Sequence, residues 1–181
     1  MHDNSDLNLE LRPAQFSERV LAFSIDMALF AAGYLLSLKL LFPDYSVWLN
    51  PNHGQWKMIW TALFIVYQAF FSSEGRVSLG KRIVGIRIVS PDGDPLTLGS
   101  AIIRSLLYFV SSILNLGFLW AALNPGRQAW HDLAVGSIVV EARPRSRARL
   151  AVVRAGALFC LAVIGSSWYW NHLARPRYER I

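Results

Sequence analysis

Four apolar runs alternate with short polar stretches along the chain. The first, residues 18–42, predicts a helix that Pro43 ends. Residues 43–55, "PDYSVWLNPNHGQ", are rich in turn formers and predict a loop. The second run, about 56–73, opens on "WKMIW", the aromatic and basic mixture that anchors helices at a membrane interface. The third, "GSAIIRSLLYFVSSILNLGFLWAAL" at 99–123, has the length of one span of about 20 residues. The fourth, "LAVVRAGALFCLAVIGSSWYW" at 150–170, ends in an aromatic belt. Between the second and third runs the period changes. "RIVGIRIV" alternates and is β-branched, and "SPDGDP" is a strong turn signal, so residues 74–98 predict a strand or hairpin outside the bilayer. "NPGRQAWHDLAVGSIVVEA" is semi-polar and reads as interfacial.

This pattern predicts an all-α membrane fold, a small transmembrane helical bundle with a short cytoplasmic strand or hairpin element. Its expected parts are a polar N-terminal tail at 1–15, a membrane domain at 16–142, a basic linker "RPRSRAR" at 143–149, an additional helix at 150–170 and a tail at 171–181. Composition agrees. Hydrophobic residues make up 54% of the 181 and charged ones 17%, against about 25% charged in an average soluble domain. The tail carries Asp3, Asp6 and Glu10 against Arg12, which is unlike the basic start of a secretory signal, so no cleavage is expected. Cys160 is the only cysteine and stands in an apolar run, a packing residue rather than a disulfide partner or metal ligand.

The net charge of +6 sits in basic clusters beside the apolar runs. That placement favours cytoplasmic loops and anionic lipid over nucleic acid as the partner. With a cytoplasmic N-terminus and a third run that crosses fully, Lys and Arg divide ten inside and eight outside. If that run instead dips in and bends back near Asn115–Gly117, the division is thirteen to five, which obeys the positive-inside rule better. Either way, residues 74–98 face the cytoplasm.

The candidate chemistry lies inside the first run. Arg19 and Asp26 are seven residues apart and fall within about 20° of each other on a helix. Ala22, Phe23, Phe30 and Gly33 share their stripe. An ionised side chain near the centre of a span costs roughly 2.5–3.5 kcal/mol on the insertion scale, so Asp26 is expected to face other helices and a cation. Thr61, Gln68 and Ser72 on the second run, and Arg104, Tyr108, Ser111 and Asn115 on the third, recur at helical spacing and predict a polar seam. Arg19 and Arg104 are the expected counter-charges for Asp26. A structural ion pair that fixes helix register is the plain alternative to a proton or cation site.

Other motifs carry less. "GRVSLGKR", residues 75–82, fits G-x-x-x-x-G-K, but Arg82 stands where a phosphate loop needs Ser or Thr, and no strand precedes it. Gly80, Lys81 and Gly85 read better as a tight turn with a cationic anchor at the membrane surface. "WHD" at 130–132 has no nucleophile or metal-ligand cluster beside it, and His53 and His172 stand alone in loops. No cofactor, metal or enzyme activity is expected.

Together, "FSERVLAFSIDMALF", "SLGKRIVGIRIVSPDGDPLTLGSAIIR" and "RQAWHDLAVGSIVV" resemble the RDD family of small bacterial multi-pass membrane proteins, over roughly residues 12–142. The resemblance implies that Arg19, Asp26 and Asp132 are the family's name-giving residues, and that Gly80, Lys81, Gly85 and Arg104 match further signature positions. It also implies a bacterial inner-membrane location, and a transport role has been proposed for the family, with some members linked to cation–proton exchange. If the third run folds back, Arg19, Arg104 and Asp132 are expected to cluster at the mouth of the seam, with Asp26 deeper.

Two functions follow as expectations. One is an ion- or proton-coupled membrane protein in which Asp26 carries the proton or monovalent cation and Arg19 tunes it. Because so few helices rarely enclose a pathway alone, this reading carries a homo-oligomer with it. The other is a structural or assembly partner whose charges fix helix packing.

Overall fold

The computed structural model describes residues 12–43, 52–113, 116–142 and 147–169. Among these residues, seven helices and two strands follow in order: α1 (Phe16–Leu41), α2 (His53–Phe70), α3 (Leu79–Val84), β1 (Ile86–Val89), α4 (Leu98–Ile113), α5 (Leu116–Leu123), α6 (Trp130–Ala134), β2 (Ile138–Glu141) and α7 (Arg147–Tyr169). Among the described residues, α1 is the one helix long and apolar enough to cross a membrane. Its 26 residues reach about 39 Å, more than a hydrocarbon core of about 30 Å. Glu18 helps to start it by accepting from the Gln15 backbone N–H at 2.8 Å, as a third-position acid does in a capping box.

Of the strand or hairpin expected at 74–98, the structure shows the strand, whose partner lies far along the chain. β1 pairs antiparallel with β2, Ile86 opposite Glu141 and Val89 opposite Ile138, and Pro13 bridges Val140 on β2's other edge. The "SPDGDP" turn closes on itself through Ser90 N–H to Asp94 O at 2.8 Å and leads into α4 instead of a returning strand. A lone four-residue strand cannot hide its backbone groups. Here the distant 138–141 segment, apolar on Val139 and Val140, supplies the partner.

These pairings locate the helix ends. The start of α1, β1 and residues 127–141 all lie together, since Arg19 also donates to the Arg127 carbonyl at 2.9 Å. At the far end of α1, Tyr34 meets His53 at 2.6 Å and Trp56 donates to Ser37 at 2.7 Å, so α2 begins there and runs back. The third apolar run goes out as α4 and returns as α5. Arg104 on α4 and Arg127 after α5 both reach the Arg19 end. The 16 residues of α4 and eight of α5 make arms of about 24 and 12 Å, each shorter than a bilayer core.

The apolar core sits at this end and is built from Ala22, Val84, Ile86, Ile88, Leu96 and Val139, with Val153 from α7. α7 begins inside what reads in sequence as a linker, at Arg147, and packs along α1, with Gly156 facing Leu21. The outer halves of the helices instead expose Leu36, Leu40, Met58, Leu158 and Phe159. Apolar side chains left uncovered in such numbers suit a lipid surround.

Candidate functional site

Arg19 and Asp26 share a stripe of α1, yet they serve two separate clusters. At the first, Asp132 is fully buried and collects charge from two helices. Its Oδ2 accepts from Arg19 Nη2 at 2.5 Å and from the Ala129 backbone N–H at 3.0 Å. Its Oδ1 accepts from Arg104 Nε at 2.9 Å, Arg104 Nη2 at 2.7 Å and, weakly, Ser137 Oγ at 3.4 Å. Arg104 also donates to Tyr108 Oη at 3.2 Å, and the Tyr108 ring stacks between Phe23 and His131, at 5.8 and 4.2 Å between centroids. One carboxylate thus ties α1, α4 and α6 together.

The second cluster surrounds Asp26, which has no exposed surface. Its Oδ1 accepts from Tyr67 Oη at 3.0 Å and the Gly80 backbone N–H at 2.8 Å. Its Oδ2 accepts from Gln68 Nε2 at 3.1 Å and Ser78 Oγ at 2.7 Å. All four donors are neutral. The expected counter-charges are therefore a correction: Arg19 and Arg104 do not reach Asp26. Both turn to Asp132, which α6 presents from its first turn, while α3 fills the space beside Asp26 with donors.

Ser78 caps α3, accepting from the Lys81 backbone N–H at 3.5 Å. At the other end Gly85, with φ of 77°, makes a left-handed cap that donates to the Lys81 carbonyl at 2.7 Å. Gly80 lets α3 touch α1, for a Cβ there would lie 2.0 Å from the Ala22 carbonyl oxygen. Lys81 is not the surface anchor expected. It is buried, and its Nζ donates to Gln68 Oε1 at 2.9 Å and Ser72 Oγ at 3.2 Å. The Gln68 amide therefore stands between the Asp26 carboxylate and the Lys81 ammonium, hydrogen-bonded to each.

The expected seam splits accordingly. Gln68 belongs to the Asp26 cluster and Tyr108 to the Asp132 cluster. Thr61 bonds back to the Lys57 carbonyl of its own helix at 2.8 Å, and Asn115 lies outside the described residues, as does His172. Ser78 and Tyr67 escaped the sequence reading. Ser78 carries a signal, a hydroxyl immediately before the short helical run "LGKRIV", the place of an N-cap. Among the described residues no group of three His, Cys, Asp or Glu gathers as a metal site.

Electrostatics separates the clusters further. Burial works against a charged Asp132, but the Arg104 and then the Arg19 guanidinium hold its carboxyl far below the usual range. His131 is pushed down to about 3 by burial and then by Arg104, so it is neutral at physiological pH. Lys81 is pushed down from 10.5 to about 7, first by burial, then by Arg104, with Asp26 and Asp132 opposing and Arg19 adding.

That depression has a testable sign. Between about pH 7 and 10.5 the unfolded chain binds more protons at this lysine than the folded one. Stability should rise with pH across that window, by at most about 1.4 kcal/mol per unit, and the penalty should be fully present below pH 7. Unfolding midpoints in detergent at pH 6.5–10 check this, and Lys81→Met should flatten the profile.

The family model described as the RDD family matches residues 13–136, more than half of the chain, whereas no curated protein and no solved structure matches it.

Proposed function

Because the chain belongs to the RDD family and is on that account a membrane protein, we propose that it exchanges protons with a monovalent cation across the bacterial inner membrane at the Asp26–Gln68–Lys81 group. The carrying observation is the bridged pair itself. A buried carboxylate and a buried ammonium share one amide, with Lys81 Nζ 2.9 Å from Gln68 Oε1 and Gln68 Nε2 3.1 Å from Asp26 Oδ2. Intramembrane carboxylates commonly serve as relays or ion ligands.

The chemistry is a substitution of one positive charge for another. Lys81, titrating near pH 7, gives up its proton as a cation approaches Asp26, and regains it as the cation leaves. Four hydrogen bonds keep Asp26 in place through both states. The Arg19–Asp132–Arg104 group, whose carboxylate stays ionised, is the fixed frame.

In this reading α1, α2, the α4–α5 re-entrant pair and α7 form a multi-pass bundle. The N-terminus, α3, the sheet and α6 are cytoplasmic, and the chain works as a homo-oligomer. The out-and-back course of residues 98–127 supports this orientation, because it keeps Arg127 and the arginines that follow on the positive side. Arg76 and Arg82, both exposed, would meet anionic lipid there.

Reconstituted vesicles test the reading. The wild type should show cation-driven pH change, and Asp26→Asn should lower it at least about tenfold, as expected for loss of the carboxylate that receives the cation. A wild type without flux removes the transport reading, and flux unchanged by the substitution removes the role of Asp26. One observation favours a structural or assembly role instead: the donors around Asp26 are complete, as in a buried polar network that fixes packing. On that reading Asp26→Asn changes stability and leaves any flux alone.

A further inference from the structure

We propose that α3 and α6 form a collar sunk into the inner face of the bilayer, with Leu79, Ile83, Trp130 and Leu133 against the acyl chains of anionic phospholipid and Arg82 at its phosphate. The collar rests on the placement of the Arg19 end at the anionic leaflet, and not on ion exchange.

Both helices put ionisable side chains inward and large apolar ones outward. α3 buries Lys81, and α6 buries His131 and Asp132. Leu79, Ile83, Trp130 and Leu133 are between 39% and 59% exposed. A helix on a water-facing surface shows the reverse, apolar side chains toward the core and polar ones outside. Helices this short do not hold themselves together. Hydrogen bonds from Ser78 and Gly80 to Asp26 fix α3, and Arg104 fixes α6 through Asp132. The two buried clusters thus hold the apolar sides outward.

Depth and charge identify what covers them. α3 touches α1 at Ala22 and Asp26. From Asp26 to its far end at Leu41, α1 rises about 22 Å, so across a core of about 30 Å Asp26 lies about 8 Å inside the near boundary. Interfacial helices bury their apolar face to about that depth, 5–10 Å. The outward surface is also continuous with that of the spans. Met27 and Leu29 beside Asp26 on α1, and Ile102, Ile103 and Leu106 beside Arg104 on α4, are all exposed. Arg82, one residue after the buried Lys81, is exposed next to Ile83, and Arg127 is exposed just ahead of Trp130, whereas Asp132 is buried. Arginine beside inserted apolar side chains matches an anionic headgroup, and a tryptophan is at home at that level.

Bimane fluorescence from single cysteines tests the collar, in the full chain with Cys160→Ala, in nanodiscs of phosphatidylcholine and phosphatidylglycerol. The labels go on Ile83→Cys and Leu133→Cys, with Leu36→Cys on the outer half of α1 and Asp92→Cys in the turn after β1 as references; all four side chains are exposed, so the fold should tolerate them. Lipid brominated on its chains should quench positions 83, 133 and 36, and iodide in the water should quench position 92 far more than 83 or 133. At position 83, bromine on phosphatidylglycerol should act with roughly fivefold greater apparent affinity than bromine on phosphatidylcholine, the worth of one arginine at an anionic surface. Arg82→Gln should remove that preference. Iodide reaching 83 or 133 as readily as 92 overturns the collar. So does protection of both from either quencher, the result expected if a second copy or another protein covers the face. Equal quenching by the two brominated lipids, or a preference that survives Arg82→Gln, overturns the anionic partner. Iodide quenching at 36 as well would overturn the crossing of α1 together with the collar, whereas bromine quenching there alone would confine the failure to the collar.

Discussion

Asp132→Ala is expected to cost about 3–5 kcal/mol, the penalty for removing one partner from a buried charge group. Against a typical total of about 5–15 kcal/mol, that is enough to leave much of the protein unfolded or degraded. The reason lies in what stays behind. Arg104 keeps its charge with a side chain 2% exposed, and Arg19 loses the 2.5 Å contact that ties α1 to α6. The Ala129 N–H and Ser137 hydroxyl lose their acceptor as well. Asp132→Asn preserves shape but not charge and should be nearly as damaging. Arg19→Ala should cost less than Arg104→Ala, because the Arg19 side chain is 13% exposed and water can substitute at its edge. Denaturant unfolding in detergent, read by tryptophan fluorescence, ranks the four variants. Equal stability of Asp132→Ala and wild type would show that the triad contributes nothing.

Gly80→Ala should be the other severe change, and its sign is set by magnitudes. Alanine gains up to about 1 kcal/mol over glycine inside a helix. Its Cβ, however, would stand 2.0 Å from the Ala22 carbonyl oxygen and 2.9 Å from the Ala22 carbonyl carbon. Those atoms are helix backbone and cannot swing aside. α3 must lift away from α1, which stretches the Gly80 N–H bond to Asp26 and displaces Ser78. Overpacking typically costs about 1–3 kcal/mol, and the lost hydrogen bonds add about 1 kcal/mol each, so destabilisation wins. Gly33→Ala is the control. Its Cβ would meet the Trp60 ring at 2.6 Å, but a side chain can turn, so its thermal midpoint should fall less. Similar losses at both glycines would remove the special status of the α3–α1 contact.

The sequence was most legible where periodicity and cost act locally. A 26-residue apolar run interrupted by Asp26 had to be a helix with a sheltered face, and the carboxylate is indeed buried. The charge count also favoured a third run that bends back, the course α4 and α5 take. What sequence could not supply was pairing over long separations. Helical spacing put Arg19 beside Asp26, but it could not tell that a residue 113 positions away would claim the arginine. Likewise β1 advertised itself by alternation, while its mate at 138–141 came from an interfacial-looking stretch. The burial of Lys81 is hidden from the sequence for a related reason. A basic residue near a glycine reads as exposed, unless one knows that the glycine exists to press its helix against another.

The separation between Arg19 and Asp132 also has a consequence in time. Ribosomes add roughly 5–20 residues per second, so Arg19 emerges about 6–23 seconds before its acid is made, whereas Asp26 waits only for residues 67–80. Biogenesis should therefore pass through a stage in which the early hairpin has already gripped its own aspartate while two arginines remain uncompensated. That interval is when a membrane insertase or chaperone has something to hold.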